Sequence, residues 1–201
     1  MSDPAPEPPL APLVAASGNY EYLSEDYYRC QDMELSGLGL PRPTCAEALD
    51  AYIVPVALEK ARMAGLAVPE WFLSNEYFHP PAVVDSINPF SRRFAVVRSE
   101  DERAKAAQQL TWNFKFAMCV QKIATTTEVI EIRVVGGRSE QTEFADWASL
   151  VHIVFAVPIA TVRLLRTDNQ IQFSAISILP HRTLSAQERR WADSLAGRGR
   201  G

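Results

Sequence analysis

FAMCVQKI (116–123), VIEIRVV (129–135), a helical stretch over about 142–156, IATVRLLR (159–166) and IQFSAISI (171–178) read strand, strand, helix, strand, strand. In the second run Ile130, Ile132 and Val134 alternate with Glu131 and Arg133, the period-two pattern of a half-buried strand. Gly136-Gly137 closes it. Phe144, Trp147, Ala148, Val151 and Phe155 then recur at i, i+3, i+4, i+7 and i+11, one apolar stripe of a helix that must stop before Pro158. TDNQ (167–170) joins the last two strands as a hairpin turn.

Working outward, Thr44 and Glu47 form a capping-box pattern that opens a helix. Pro55 cannot donate to the helical ladder, so this helix bends or splits there, and Gly65 is its expected end. AVPEWFL (67–73) reads as a short extended piece, and the spacing predicts short strands at 82–84 and 94–98. Ser99 with Glu102 predicts a second capping box and a helix to about Trp112, with Ala106, Ala107, Leu110 and Phe114 inward. Ser185 with Glu188 predicts a third, opening a helix that turns Trp191 and Leu195 inward and ends near Gly197. Residues 1–17, rich in Pro and Ala without periodicity, read as a disordered or extended tail, and 197–201 as a second tail.

Composition narrows the function. The chain of 201 residues suits one sizeable core or a core with a small annex. Its net charge of −4 divides into about −7 over residues 1–70 and +3 over 71–201, which argues against a nucleic-acid partner. No apolar run approaches the roughly 18–20 residues that span a bilayer. MSDPAPEPPLAP has neither a basic start nor an apolar core, so a cytoplasmic protein is expected. Cys30, Cys45 and Cys119 lack C-x-x-C spacing, and His79, His152 and His181 lie far apart, so neither a disulfide framework nor a metal site is expected. Four tyrosines, Tyr20, Tyr22, Tyr27 and Tyr28, fall within nine residues and form either an amphipathic packing face or a surface that docks a protein partner.

The local wording resembles the ATP-grasp fold, in its RimK-like branch, over residues 43–182. Such proteins run from a helix into Ala-Gly-x-x-Val-Pro-Glu, here AGLAVPE (64–70), then to a strand with a nucleotide-binding lysine, here PAVVDSINPF (81–90). Their lid ends in Val-Gln-Glu-x-Ile, here VQKI (120–123), and an Asp-x-Arg strand ends in glycine, here Glu131, Ile132, Arg133 and Gly136-Gly137. A final strand carries a metal-binding Glu-x-Asn before a proline, here Ala175, Ile176, Ser177 and Pro180. YEYLSEDYY (20–28) is similar to the start of a domain that precedes RimK-like ligases. The resemblance implies an α+β fold of mixed or antiparallel sheets with packed helices. It leaves room for two small subdomains over 18–196, with a lid-like part at 82–123.

The polar positions depart from that pattern. Asp85 stands where a lysine would meet phosphate, no glycine occurs in 85–98 for a phosphate-cradling flap, and Ala175 and Ser177 replace the metal ligands. The expectation is a non-catalytic, ATP-grasp-derived binding or accessory protein, without cofactor, acting through a protein partner or a small anion. Candidate anion- or nucleotide-binding residues are Arg92, Arg93, Gln121, Lys122 and Arg133. Two alternatives stand beside it. One is an active RimK-like carboxylate–amine ligase using ATP and magnesium through atypical ligands. The other is an α+β accessory or maturation factor whose likeness is coincidental.

Overall fold

The computed structural model describes residues 25–37, 44–88, 93–168 and 170–197. The tail 1–17, Tyr20, Tyr22, Arg92 and residues 198–201 lie outside them. Two antiparallel sheets carry the architecture. Strands β1 (Trp71–Ser74), β2 (Ala82–Ser86), β3 (Phe94–Val97) and β4 (Met118–Lys122) form a four-stranded sheet in the order β1-β4-β2-β3. Strands β5 (Glu128–Val135), β6 (Ile159–Arg166) and β7 (Ile171–Ile178) form a three-stranded meander.

Helices cover the outer face of each sheet. Helix α1 is Glu25–Ser36, α2 is Cys45–Tyr52 and α3 is Val54–Met63. The expected split falls at Ile53, which is extended, and Pro55 sits in the first turn of α3, where a missing N–H is harmless. Thr44 Oγ1 accepts from Glu47 N–H at 3.1 Å, and Glu47 Oε2 accepts from Thr44 N–H at 2.8 Å, so the first capping box is present. Helix α5 (Ala145–Phe155) follows a 3-10 turn at Thr142–Phe144. Its stripe packs with α2 and α3 against Ile132, Val134, Val162, Leu164 and Phe173 in the main core. Tyr27 packs against this core, whereas Tyr28, edge-on to Tyr27, is 59 % exposed.

Helix α4 (Glu100–Leu110) lies on the four-stranded sheet, where Ala106, Ala107 and Leu110 meet Val84, Val97, Met118 and Val120. Two expectations fail here. Ser99 makes no side-chain cap, and the Glu102 carboxylate accepts from Arg98 N–H instead, at 2.7 Å. Phe114 is exposed, because the helix ends at Leu110 and the chain enters a left-handed turn at Trp112. Helix α6 (Ala186–Gly197) presents Trp191 and Leu195 to a small third cluster, as expected. Gly136 adopts φ +56°, and a Cβ there would meet Leu195 at 2.9 Å, so the turn after β5 requires glycine. No helix among the described residues is long and apolar enough to cross a membrane.

Candidate functional site between the sheets

Antiparallel pairing sets Glu131, Arg163 and Ala175 in one cross-strand row of the meander, and Arg133, Thr161 and Ser177 in the next. This face meets the four-stranded sheet, because Arg163 reaches Asp85 on β2. Facing it from β2 and β4 are Val83, Asp85, Cys119 and Gln121, which share one side of their sheet by register. Of the candidate anion- or nucleotide-binding residues, these inner faces carry Gln121 and Arg133.

Four polar side chains close the space. Arg163 Nη2 donates to both Asp85 oxygens at 2.8 and 2.7 Å, and its Nε donates to Ser174 Oγ at 2.8 Å. Ser174 Oγ donates to Gln121 Oε1 at 2.8 Å, and Gln121 Nε2 donates to Asp85 Oδ2 at 2.9 Å, so the ring of bonds returns to its start. The ion pair is sealed, with side chains 5 % and 6 % exposed. The ring of Phe94 lies 4.3 Å from the Arg163 guanidinium carbon and stacks on it. Ser174 reaches the cluster because the register shifts between Arg163 and Leu164, a bulge that sets two residues of β7 against one of β6. Burial pushes the Asp85 carboxyl above the usual carboxylate range, and the charge and hydrogen bonds of Arg163 oppose this only in part.

At the mouth of the same face, Arg133 holds Glu188 through Nε at 2.8 Å and Nη2 at 2.7 Å, and also donates to Thr183 O. Glu188 accepts from Ser185 N–H as well, and Ser185 Oγ accepts from Glu188 N–H at 3.1 Å, so the third capping box and the ion pair share one carboxylate. Lys122 pairs at the surface with Glu70, and its N–H donates to Glu70 O at 2.8 Å. Gln121 is fully buried on a central strand paired with both β1 and β2. Both belong to the candidate anion- or nucleotide-binding set, and the side chain of each is engaged within the protein. Arg93 is exposed beside β3 and lines a groove together with Phe94, whose ring stacks on Arg163.

The fit to nucleotide and magnesium is poor on this donor set. The lysine position holds an arginine-bound carboxylate, Ala175 offers no ligand, and among the described residues no three His, Cys, Asp or Glu side chains gather to hold a metal. Cys45 and Cys119 are weak nucleophiles in this setting. Burial raises the Cys45 and Cys119 thiols, the latter further because of the Asp85 charge, and none of the three forms a disulfide.

Two sheets with outer helices and polar inner faces can be compared with solved structures. A RimK-domain ATP-grasp protein of Sphaerobacter thermophilus aligns over 83 % of this chain and 76 % of its own, with TM-score 0.58 and 16 % identity. The D-alanine–D-alanine ligase of Bacillus anthracis aligns over 92 % and 77 %, with TM-score 0.63 and 13 % identity. This chain has the ATP-grasp fold. The ligase from Helicobacter pylori is similar too, over 84 % and 67 %, with TM-score 0.58 and 12 % identity. No protein-family model matches the sequence, and no curated protein is similar to it. At such identities the likeness speaks for the ATP-grasp fold alone.

The sequence reading missed Arg163 and Ser174. One signal was present: Asp85 in PAVVDS and Arg163 in IATVRLL each interrupt an apolar strand, and opposite charges inside apolar strands must find each other. Nothing in QFSAIS marks the bulge that turns Ser174 inward.

Proposed function

We propose that this chain is a non-catalytic binding or accessory protein built on the ATP-grasp fold, acting through a protein partner or a small anion. The observation that carries the reading is the closed Asp85–Arg163–Ser174–Gln121 ring, which fills the inter-sheet space with the protein's own charges. A polyphosphate entering there would meet a carboxylate and would have to break a buried ion pair, which costs several kcal/mol, on the order of 3–5. Binding therefore moves to the outside of the fold. Tyr28 and the half-open Arg133 are exposed groups of the kinds that dock protein side chains and anions.

The test is incubation with magnesium and labelled ATP, followed by thermal unfolding with the nucleotide at millimolar concentration. The expected result is no phosphate release and no shift in Tm. Release of phosphate that disappears in Arg133→Ala would overturn the reading and restore a ligase-like enzyme.

A further inference from the structure

Helix α5 carries polar side chains only at Asp146, Ser149 and His152. A helix that is apolar almost all round belongs in an interior. Ala148, Val151 and Phe155 meet that requirement by facing the main core. On the opposite side Ile153 is 73 % exposed and Leu150 44 %. Asp146, Leu150 and Ile153 recur at i, i+4 and i+7, so they form one outward stripe. Helix α3 lies beside it, since Lys60 Nζ sits 5.6 Å from the centre of the Phe155 ring. Val56 and Met63, at i and i+7 on the outer side of α3, are exposed too. Two helices that cover a sheet with one face thus turn apolar side chains to water on the other, and a partner there would remove that area from solvent.

The charges on this surface point to the partner. Asp146, at the start of the stripe, makes no ion pair with a described residue. Lys60, beside the far end, gives its charge only to an aromatic ring. The nine-residue step from Asp146 to Phe155 spans about 14 Å of helix, so the two charges do not meet within one chain. A two-fold axis at Leu150 brings them together between chains. It sets α5 antiparallel to α5 of a second copy, and Asp146 of each copy then falls opposite Val154 of the other, one residue before Phe155 and near Lys60. Ile153 of each copy meets the Trp147 turn of the other. The operation makes each ion pair twice and opposes the two helix dipoles. Ser149, small and exposed on the same side, lets the two axes come close.

We propose that the α3–α5 face pairs with a second copy of this chain, α5 antiparallel to α5 about a two-fold axis at Leu150, with Asp146 of each copy against Lys60 of the other. The inference is independent of the inter-sheet cluster and of whether the chain binds nucleotide.

Sedimentation equilibrium of the full chain from about 1 to about 200 µM tests it, a range suited to an interface built on a few helical turns. The wild type follows a monomer–dimer equilibrium. Ile153→Glu weakens the dimer about ten-fold or more. Leu73→Glu, at an exposed apolar position on β1, leaves it unchanged. Asp146→Lys and Lys60→Glu each weaken it, because like charges then face each other across the axis. An equimolar mixture of these two variants recovers dimer, since both pairs between the unlike copies are again opposite in sign. A role of Asp146 confined to its own helix N-terminus would give no such recovery. A wild type that stays monomeric throughout the range would overturn the proposal and leave the face to an unlike protein. A dimer indifferent to Ile153→Glu would overturn it as well, and a mixture no more dimeric than its components would overturn the antiparallel register.

Discussion

Two arginines sit in neighbouring rows on one face of the same sheet and live in opposite surroundings. Arg163 is sealed against Asp85, while Arg133 keeps 41 % of its side chain exposed as it grips a buried Glu188. Both pairs are bidentate or nearly so, and both cross between elements far apart in sequence. The difference lies in water. In the interior, a charge is tolerable only while every partner stays in place. At the mouth, solvent reaches the arginine itself, while the Glu188 carboxylate that it holds stays buried. The ATP-grasp fold is thus locked where its two sheets meet and open at the rim.

The largest effect should come from breaking the sealed pair on one side. Arg163→Ala leaves the buried Asp85 carboxylate without its cation, held by Gln121 alone, and should destabilise by about 3–5 kcal/mol, read from the urea midpoint. Asp85→Asn in the Arg163→Ala background should recover part of this loss, because the unpaired charge is removed. If the double variant is as unstable as the sum of its parts, the two residues do not act as a pair.

The same contrast has a pH signature. Burial holds the Asp85 carboxyl above its unfolded value, and removing Arg163 takes away the influence that opposed this. The folded state then binds more protons than the unfolded state between the ordinary carboxylate range and the raised value. Stability therefore falls as pH rises through that window. Arg163→Ala should regain stability from pH 7 to pH 5 relative to wild type. A gap that stays constant or widens on acidification would show that Asp85 remains ionised in the variant.

How much of this contrast the sequence carried differs between the two arginines. Arg133 could be singled out because Glu131-Ile132-Arg133 before Gly136-Gly137 resembles the Asp-x-Arg strand of the ATP-grasp pattern, and Glu188 because it sits three residues after Ser185. Neither signal said that one carboxylate serves cap and ion pair together. The sheets were legible for the same reason, since alternation at 129–135 is a local signal. Arg163, Gln121 and Ser174 come together from three strands across two sheets, through a bulge that no glycine or proline marks. Register and sheet-on-sheet contact are properties of the folded chain. The Trp112 turn escaped for a related reason: the helical pattern through Phe114 is sound, and the buried Thr111 hydrogen bonds override it.

A middle-sized effect belongs to the rim. Glu188→Ala removes the cap of α6 and the partner of Arg133, but leaves that arginine in reach of water. The expected loss is about 2 kcal/mol, roughly a helix cap with charge-assisted bonds added. Added phosphate or sulfate should recover some of the loss in Glu188→Ala and none in Arg163→Ala. Equal recovery in both would erase the distinction between locked interior and open mouth.

The smallest effect tests the surface limit of the comparison. Lys122 lies one residue beyond Gln121 on β4, yet its partner Glu70 is well exposed, as is Lys122 itself. Side-chain entropy and solvent screening leave such pairs worth about 0–1 kcal/mol. The backbone bond from Lys122 N–H to Glu70 O survives any side chain except proline. Lys122→Ala should therefore shift the urea midpoint barely beyond error, and 0.5 M NaCl should have little further effect on the variant. A loss as large as that of Glu188→Ala would mean that the Lys122–Glu70 pair helps hold β1 to the sheet, and that the boundary between interior and rim lies farther out along β4 than Gln121.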